Sequence, residues 1–268
     1  MKLQVDGNEI HVATGGMAHK PAQPWLVFVH GSGHSHLSWM LQSRALAHDG
    51  CNVLAPDFPG HGLSGGAPLD TIGAMARFVF AVMDAAGARD AVIIGHSMGG
   101  LIALEMSAIA PQRVRALALV GTAAAIPVSD QLKALAQDNE QAAFAAMNAW
   151  SFGPDALIGD NSWPGANHVA NGIAVMRQNA KGALAAGLKA CANYTGGSKA
   201  AAGYAGTALC VFGEFDKMTP SRNGMALAAM MQHAQAIVVK GSGHCIASEK
   251  PREFNSALRN FLCKLATA

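Results

Sequence analysis

Charge is scarce in this chain. Asp, Glu, Lys and Arg together make up 13% of its 268 residues, and their balance is +2. So mild a charge excludes the strongly basic surface that nucleic acid or an anionic membrane would require. Long apolar runs are also missing. No window reaches about 18 uninterrupted apolar residues, so no bilayer span is predicted. The first residues, Met1-Lys2-Leu3-Gln4-Val5-Asp6, carry no apolar signal core before the first acid. The five cysteines, Cys51, Cys191, Cys210, Cys245 and Cys263, are odd in number, scattered, and without a C-x-x-C pair. That pattern excludes a disulfide framework and points to reduced thiols in a cytoplasmic protein, some buried as small hydrophobes. What the chain does have is apolar content, 51% of its residues, enough for one sizeable core, with or without an inserted subdomain.

The apolar residues are organised as short runs separated by amphipathic stretches. Strands are predicted at 25–29, 52–55, 91–94, 116–120, 208–212 and 236–239. Helices are predicted at 39–48, 71–86, 101–110, 221–232 and 251–265. Continuous apolar strands alternating with helices imply a mostly parallel sheet covered on both faces. The segment 3–12, interrupted at Asp6-Gly7-Asn8, reads instead as an antiparallel hairpin at the edge. From 122 to 204 no comparable strand appears, only helical stretches at 129–148, 166–178 and 182–194. The predicted organisation is an α/β core of residues 1–121 and 205–268 with a helical lid, residues 122–204, inserted between two strands.

The segment Gly95-His96-Ser97-Met98-Gly99 stands where a buried strand gives way to a helix. In such an elbow the serine backbone is strained, its hydroxyl projects above the sheet, and glycines two residues either side avoid collision with strand and helix. A serine hydroxyl needs a base, and the base needs an orienting carboxylate. His244, in Gly241-Ser242-Gly243-His244, follows the last strand and can reach across the strand ends. Asp216 follows the preceding strand and competes with Glu214 on the same loop; Pro220 restricts that loop and favours Asp216. The loop after the earlier strand, 121–125, offers no carboxylate. For a tetrahedral oxyanion the candidate donors are the backbone N–H of Met98, at the helix start, and of Ser32, in His30-Gly31-Ser32-Gly33. The Ser32 hydroxyl could add a third donor or simply form a turn.

Taken together, His30-Gly31-Ser32-Gly33, Asp57-Phe58-Pro59-Gly60-His61-Gly62-Leu63-Ser64, the serine elbow, Gly213-Glu214-Phe215-Asp216 through Pro220, and Gly243-His244 resemble the α/β-hydrolase superfamily. The likeness is to its lidded branch of small carboxylesterases, meta-cleavage C–C hydrolases and cofactor-free haloperoxidases. The resemblance implies an α/β-hydrolase fold and a structural role for the Asp57 segment at the cleft floor. It also implies a serine hydrolase that acts on a small-molecule ester without cofactor or metal. Substrate class is left open. The Gly31-Ser32-Gly33 loop and Trp39 resemble the C–C hydrolases, but those commonly have asparagine where His96 stands, and a basic residue for a substrate carboxylate is not identifiable. A non-catalytic ligand receptor on the same scaffold is a third reading, which intact Ser97, Asp216 and His244 oppose. His30, His34 and His36 share one loop but have no acid at ligand spacing, so a metal is not expected. His96 reads as a packing and hydrogen-bonding residue. Trp39, Trp150 and Trp163, with Phe144, Phe152 and Met176, could line a substrate pocket or form the lid's own core; Trp39 and Met98 lie nearest the site loops in sequence.

Overall fold

The computed structural model describes residues 1–158 and 165–267. Within them, eight strands form one sheet: β1 (Lys2–Val5), β2 (Asn8–Ala13), β3 (Trp25–Val29), β4 (Asn52–Pro56), β5 (Ala91–His96), β6 (Val114–Val120), β7 (Thr207–Gly213) and β8 (His233–Val239). Their spatial order is β1-β2-β4-β3-β5-β6-β7-β8. The predicted hairpin is β1–β2, antiparallel at the edge, and β2 meets β4 antiparallel. All other pairs are parallel.

The central strands read as unbroken apolar runs because both faces are covered. Val27, Val29, Ile93, Leu117 and Leu119 pack on one side, in the larger core, with residues of helices α2 (Ile72–Ala86) and α3 (Met98–Ile109). The alternate residues Leu26, Phe28, Val92, Ile94, Ala118 and Val120 pack on the other side, with Leu46 and Ala47 of α1 (Met40–His48) and with Phe254, Leu258 and Phe261 near the C-terminus. Thr71 caps α2, accepting from Ala74 N, and Gly87 ends it at φ 78°.

Between β6 and β7 the described residues form α4 (Asp130–Asp138), α5 (Glu140–Ser151), α6 (Pro154–Ile158), α7 (His168–Met176), α8 (Ala183–Asn193) and α9 (Gly197–Gly203). The continuous helix expected over 129–148 is two helices. Asn139, at φ −144°, ends the first, and its side chain accepts from Ala142 N to start the second. Two short helices outside the predicted stretches, α6 and α9, start at Gly153-Pro154 and Gly196-Gly197, the first consistent with proline's tolerance in a first turn. Leu132, Phe144, Met147, Met176, Leu184 and Leu188 give this block a core of its own. After β7 follow α10 (Ser221–Ala229), β8, a short turn of helix α11 (Ile246–Glu249) and α12 (Pro251–Thr267).

In this strand order the chain moves outward in one direction through β3 and β4 and in the other through β5 to β8. The carboxyl ends of β3 and β5 therefore flank the point where the order reverses, the natural place for a crevice above an open sheet. The loops bearing Ser32 and Ser97 leave from those two ends.

Candidate active site

Ser97 sits between β5 and α3 at φ 55°, ψ −118°; among the described non-glycine residues only Asp6 shares a positive φ. Such a conformation is costly for an L-residue and persists only when its surroundings enforce it. They do so here. Ser97 N donates to Val120 O at 2.9 Å, and Gly100 N donates to Ser97 O at 2.8 Å. Thr122 Oγ1 donates to the same carbonyl at 2.9 Å. A Cβ on Gly95 would overlap the Gly99 carbonyl, and one on Gly99 would overlap that of Val29. Ser97 is 9% exposed. Among the described residues its hydroxyl has no hydrogen-bond partner, and it lines a cleft together with Gly31, Ser32 and His244.

His244 and Asp216 are brought together from loops 28 residues apart. His244 Nδ1 lies 2.8 Å from Asp216 Oδ2. Burial pushes the Asp216 carboxyl up, but the charge of His244, its hydrogen bond, and donation from Thr219 outweigh this and hold it below the ordinary carboxylate range. The acid is thus ionised, accepts the Nδ1 proton, and leaves Nε2 as the basic nitrogen. Met218 N and Thr219 N donate to Asp216 Oδ1 at 2.9 and 2.8 Å. Thr219 Oγ1 lies 2.8 Å from Asp216 Oδ2 and 3.2 Å from His244 Nδ1. Glu214 instead accepts from Gly241 N at the surface.

The His244 backbone is tied to the helical block, since its N–H donates to Ser151 O at 2.7 Å. The buried Glu249 carboxylate accepts from Gly153 N at 2.7 Å and Gly243 N at 3.0 Å. Thr219, Ser151 and Glu249 were missed in the sequence. The Asp-x-x-Thr-Pro spacing could have revealed Thr219, because threonine three residues after an acid commonly closes a local turn. Nothing marks Ser151, whose contribution is a carbonyl.

Ser32 N and Met98 N both lack a hydrogen-bond partner among the described residues. The loop carrying Ser32 passes close to the serine; a Cβ on Gly31 would lie 3.1 Å from His96 Nδ1 and 3.3 Å from Ser97 Cβ. The Ser32 hydroxyl faces Met98 Sδ at 3.3 Å and Cys191 Sγ at 3.6 Å. His96 Nε2 lies 3.0 Å from His244 O, so the neutral ring donates to that carbonyl. Desolvation by burial drives its pKa well below the ordinary value.

The cleft over Ser97 has a volume of about 210 Å³. Met147, Trp150 and Leu188 are among its walls, and Lys217 is the only Asp, Glu, Lys or Arg among its described lining residues. That cation was not identified from the sequence, where it is one exposed lysine beside the acid. Trp39 combines the two places expected of it, since it packs in the core and borders a cavity next to this cleft. It is 1% exposed, packed against Phe28 and Phe254, and does not line this cleft. The Met98 side chain is fully buried in the core. Trp163 lies outside the described residues.

The fold also supplies the acid that the sequence around His36 lacks. Asp57 Oδ1 accepts from His36 N, and both carboxylate oxygens lie 2.9 Å from His36 Nδ1. Possible ligand atoms of His11, His36 and Asp57 all lie within 4.8 Å of one another. Leu63 N also donates to Asp57, so this carboxylate knits the 57–64 turn to the His36 segment.

A family model described as the alpha/beta hydrolase family matches residues 26–257. The chain belongs to the alpha/beta hydrolase family. It is similar over its length to esterase YbfF of Escherichia coli strain K12, with 27% identity over 254 residues, 88% of this chain and 92% of that protein. A shorter stretch of 117 residues is 38% identical to the dihydrolipoyllysine-residue acetyltransferase component of the acetoin cleaving system of Cupriavidus necator. That match spans 43% of this chain and only 30% of the relative's length. Among solved structures, the enol-lactonase from Burkholderia xenovorans LB400 superposes with a TM-score of 0.89 at 25% identity, covering 98% of this chain and 100% of that one. An esterase and an enol-lactonase are thus among the proteins that this chain resembles along most of its length.

Proposed function

We propose that this hydrolase cleaves a carboxylic ester through an acyl-Ser97 intermediate, with His244 as base, Asp216 as its orienting acid, and the N–H groups of Ser32 and Met98 as oxyanion donors. The buried 2.8 Å contact between His244 and Asp216, in the same cleft as the strained Ser97, carries this reading. Ser97 Oγ attacks the ester carbonyl while its proton passes to His244 Nε2. The C–O bond to the alcohol then breaks, and the proton passes to the leaving oxygen. Water adds to the acyl-serine by the same route, returning Ser97 and releasing the acid. Each oxyanion donor contributes about 3 kcal/mol to the transition state. The esterase and enol-lactonase to which the chain is similar point the same way. The helices of residues 122–204 form the lid in this reading, and the five unpaired cysteines suit a cytoplasmic setting. No metal or cofactor is invoked.

Lys217 favours one second reading: a cation on the Ser97 cleft could hold the carboxylate of a C–C substrate of the diketone-acid type. Hydrolysis of p-nitrophenyl esters from acetate to decanoate, set beside a ring-fission diketone acid, separates the two. Ester turnover that Ser97→Ala lowers on the order of a million-fold supports the first. Turnover of the diketone alone, lost in Lys217→Met, overturns it in favour of the second.

A further inference from the structure

A second cavity, of about 400 Å³, adjoins the Ser97 cleft and shares two residues with it, His34 and His96. Their rings stand 6.1 Å apart and nearly perpendicular, and Ser38 Oγ lies 3.0 Å from His34 Nδ1. The other walls include Leu37, Trp39, Phe152, Val175 and Ala247, with half-exposed Met40 among them. None of the described lining residues is Asp, Glu, Lys or Arg. Desolvation holds the His34 imidazole down at about 4, so this shared wall is uncharged at neutral pH.

The two volumes differ in what they can hold. Ligand clefts commonly span roughly 300–1,000 Å³, and the 210 Å³ over Ser97 falls short of that range while the second cavity lies inside it. An apolar cavity of about 150 Å³ is enough for a benzene ring. The space at Ser97 thus suits the reacting ester group with a small substituent, about the size of a benzene ring, whereas the adjoining cavity can bury an extended hydrocarbon group. Burial there gains about 25 cal/mol per Å² of apolar surface removed from water.

We propose that this second cavity is the binding site for an uncharged hydrocarbon arm of the substrate, reached past His34 and His96, so that the preferred esters carry one long apolar group. The proposal rests on the ester-hydrolase reading for its chemistry but not for the cavity's affinity. Ala174 and Val175, on α7, line this cavity and are not among the described lining residues of the Ser97 cleft; Ala174→Phe and, as a second variant, Val175→Trp fill part of it. Two substrate series locate the arm: p-nitrophenyl acetate against decanoate for the acyl side, and ethyl acetate against decyl acetate for the alcohol side. In one of them, the long-to-short ratio of kcat/KM falls at least tenfold in both variants. In parallel, titration calorimetry of 1-decanol into Ser97→Ala, alone and combined with either cavity variant, reads binding without turnover. A tenfold weaker Kd supports the proposal. An unchanged Kd in both folded variants overturns it, as does a chain-length ratio that moves in neither series. Absence of all ester turnover, with decanol binding still weakened by the variants, removes the esterase reading and leaves the cavity assignment standing.

Discussion

Asp216 holds its charge inside the protein because every face of the carboxylate that the structure describes meets a donor: two backbone N–H groups, the Thr219 hydroxyl and His244. Asp216→Asn keeps the shape but offers His244 Nδ1 an amide in place of a charge. By comparison with the same change in serine-protease triads, kcat for p-nitrophenyl butyrate falls about ten-thousand-fold. Retention of more than a tenth of the activity would show that His244 does not depend on Asp216. Thr219→Val removes a hydroxyl from the same carboxylate but leaves both backbone donors, so a fall of roughly 10- to 150-fold follows, one charge-assisted hydrogen bond being worth about 1.5–3 kcal/mol. At the elbow, Gly99→Ala forces a methyl group onto the Val29 carbonyl. The expected cost is on the order of 3 kcal/mol, seen as a lower urea midpoint; an unchanged midpoint would mean that the elbow relaxes freely. These glycines and the serine were legible in the sequence because a strained turn tolerates few residue types. Thr219 was less so, its part being visible only once the acid was placed.

At the scale of elements, the loop that carries His244 does not stand alone. It leans on the chain at 151–153, where Ser151 O accepts from both His244 N and Cys245 N, and where a Cβ on Gly153 would meet Gly241 O at 2.6 Å. The Glu249 carboxylate bridges the two segments. Glu249→Ala leaves two buried N–H groups without this acceptor, at about 1–3 kcal/mol each. The unfolding midpoint therefore drops, and kcat falls more than KM rises, because the base loses its setting while the cleft walls remain. A variant with wild-type stability and kcat would show that the bridge is incidental. The parallel strands up to β7 were readable to within about two residues because both faces demand apolar side chains, whereas β8, at the sheet edge and only partly buried, starts at His233, well before the predicted 236. The helical block was read less well. Asn139 splits 129–148 through a cap, a local choice that competes evenly with continued helix, and the short helices at Pro154 and Gly197 have no periodicity long enough to detect.

For the whole molecule, neutral histidines set the response to acid. Burial lowers His30 to about 3 and His34 to about 4, and carries His96 well below the ordinary value. In the unfolded chain each takes up a proton near pH 6.5, whereas in the folded chain each stays neutral until far lower pH. The unfolded state thus binds more protons below pH 6.5, and stability declines as the pH falls from there toward 4, by about 1.4 kcal/mol per pH unit for each such histidine. Urea midpoints measured from pH 7.5 to 4.5 should begin to fall near 6.5, before the carboxylates titrate. A flat profile to pH 5 would contradict the burial of these rings as neutral groups. The sequence by itself determined the layered α/β core, the serine elbow and the chain order of Ser97, Asp216 and His244, because strand burial and a strained turn restrict residue type locally. Only the tertiary structure decided that Trp39 packs on Phe28 and Phe254 while bordering a second cavity behind His34 and His96, that Asp57 meets His36 and that Lys217 borders the cleft. Those facts arise where segments far apart in sequence pack together, often through backbone atoms that every residue shares, and no local pattern records them.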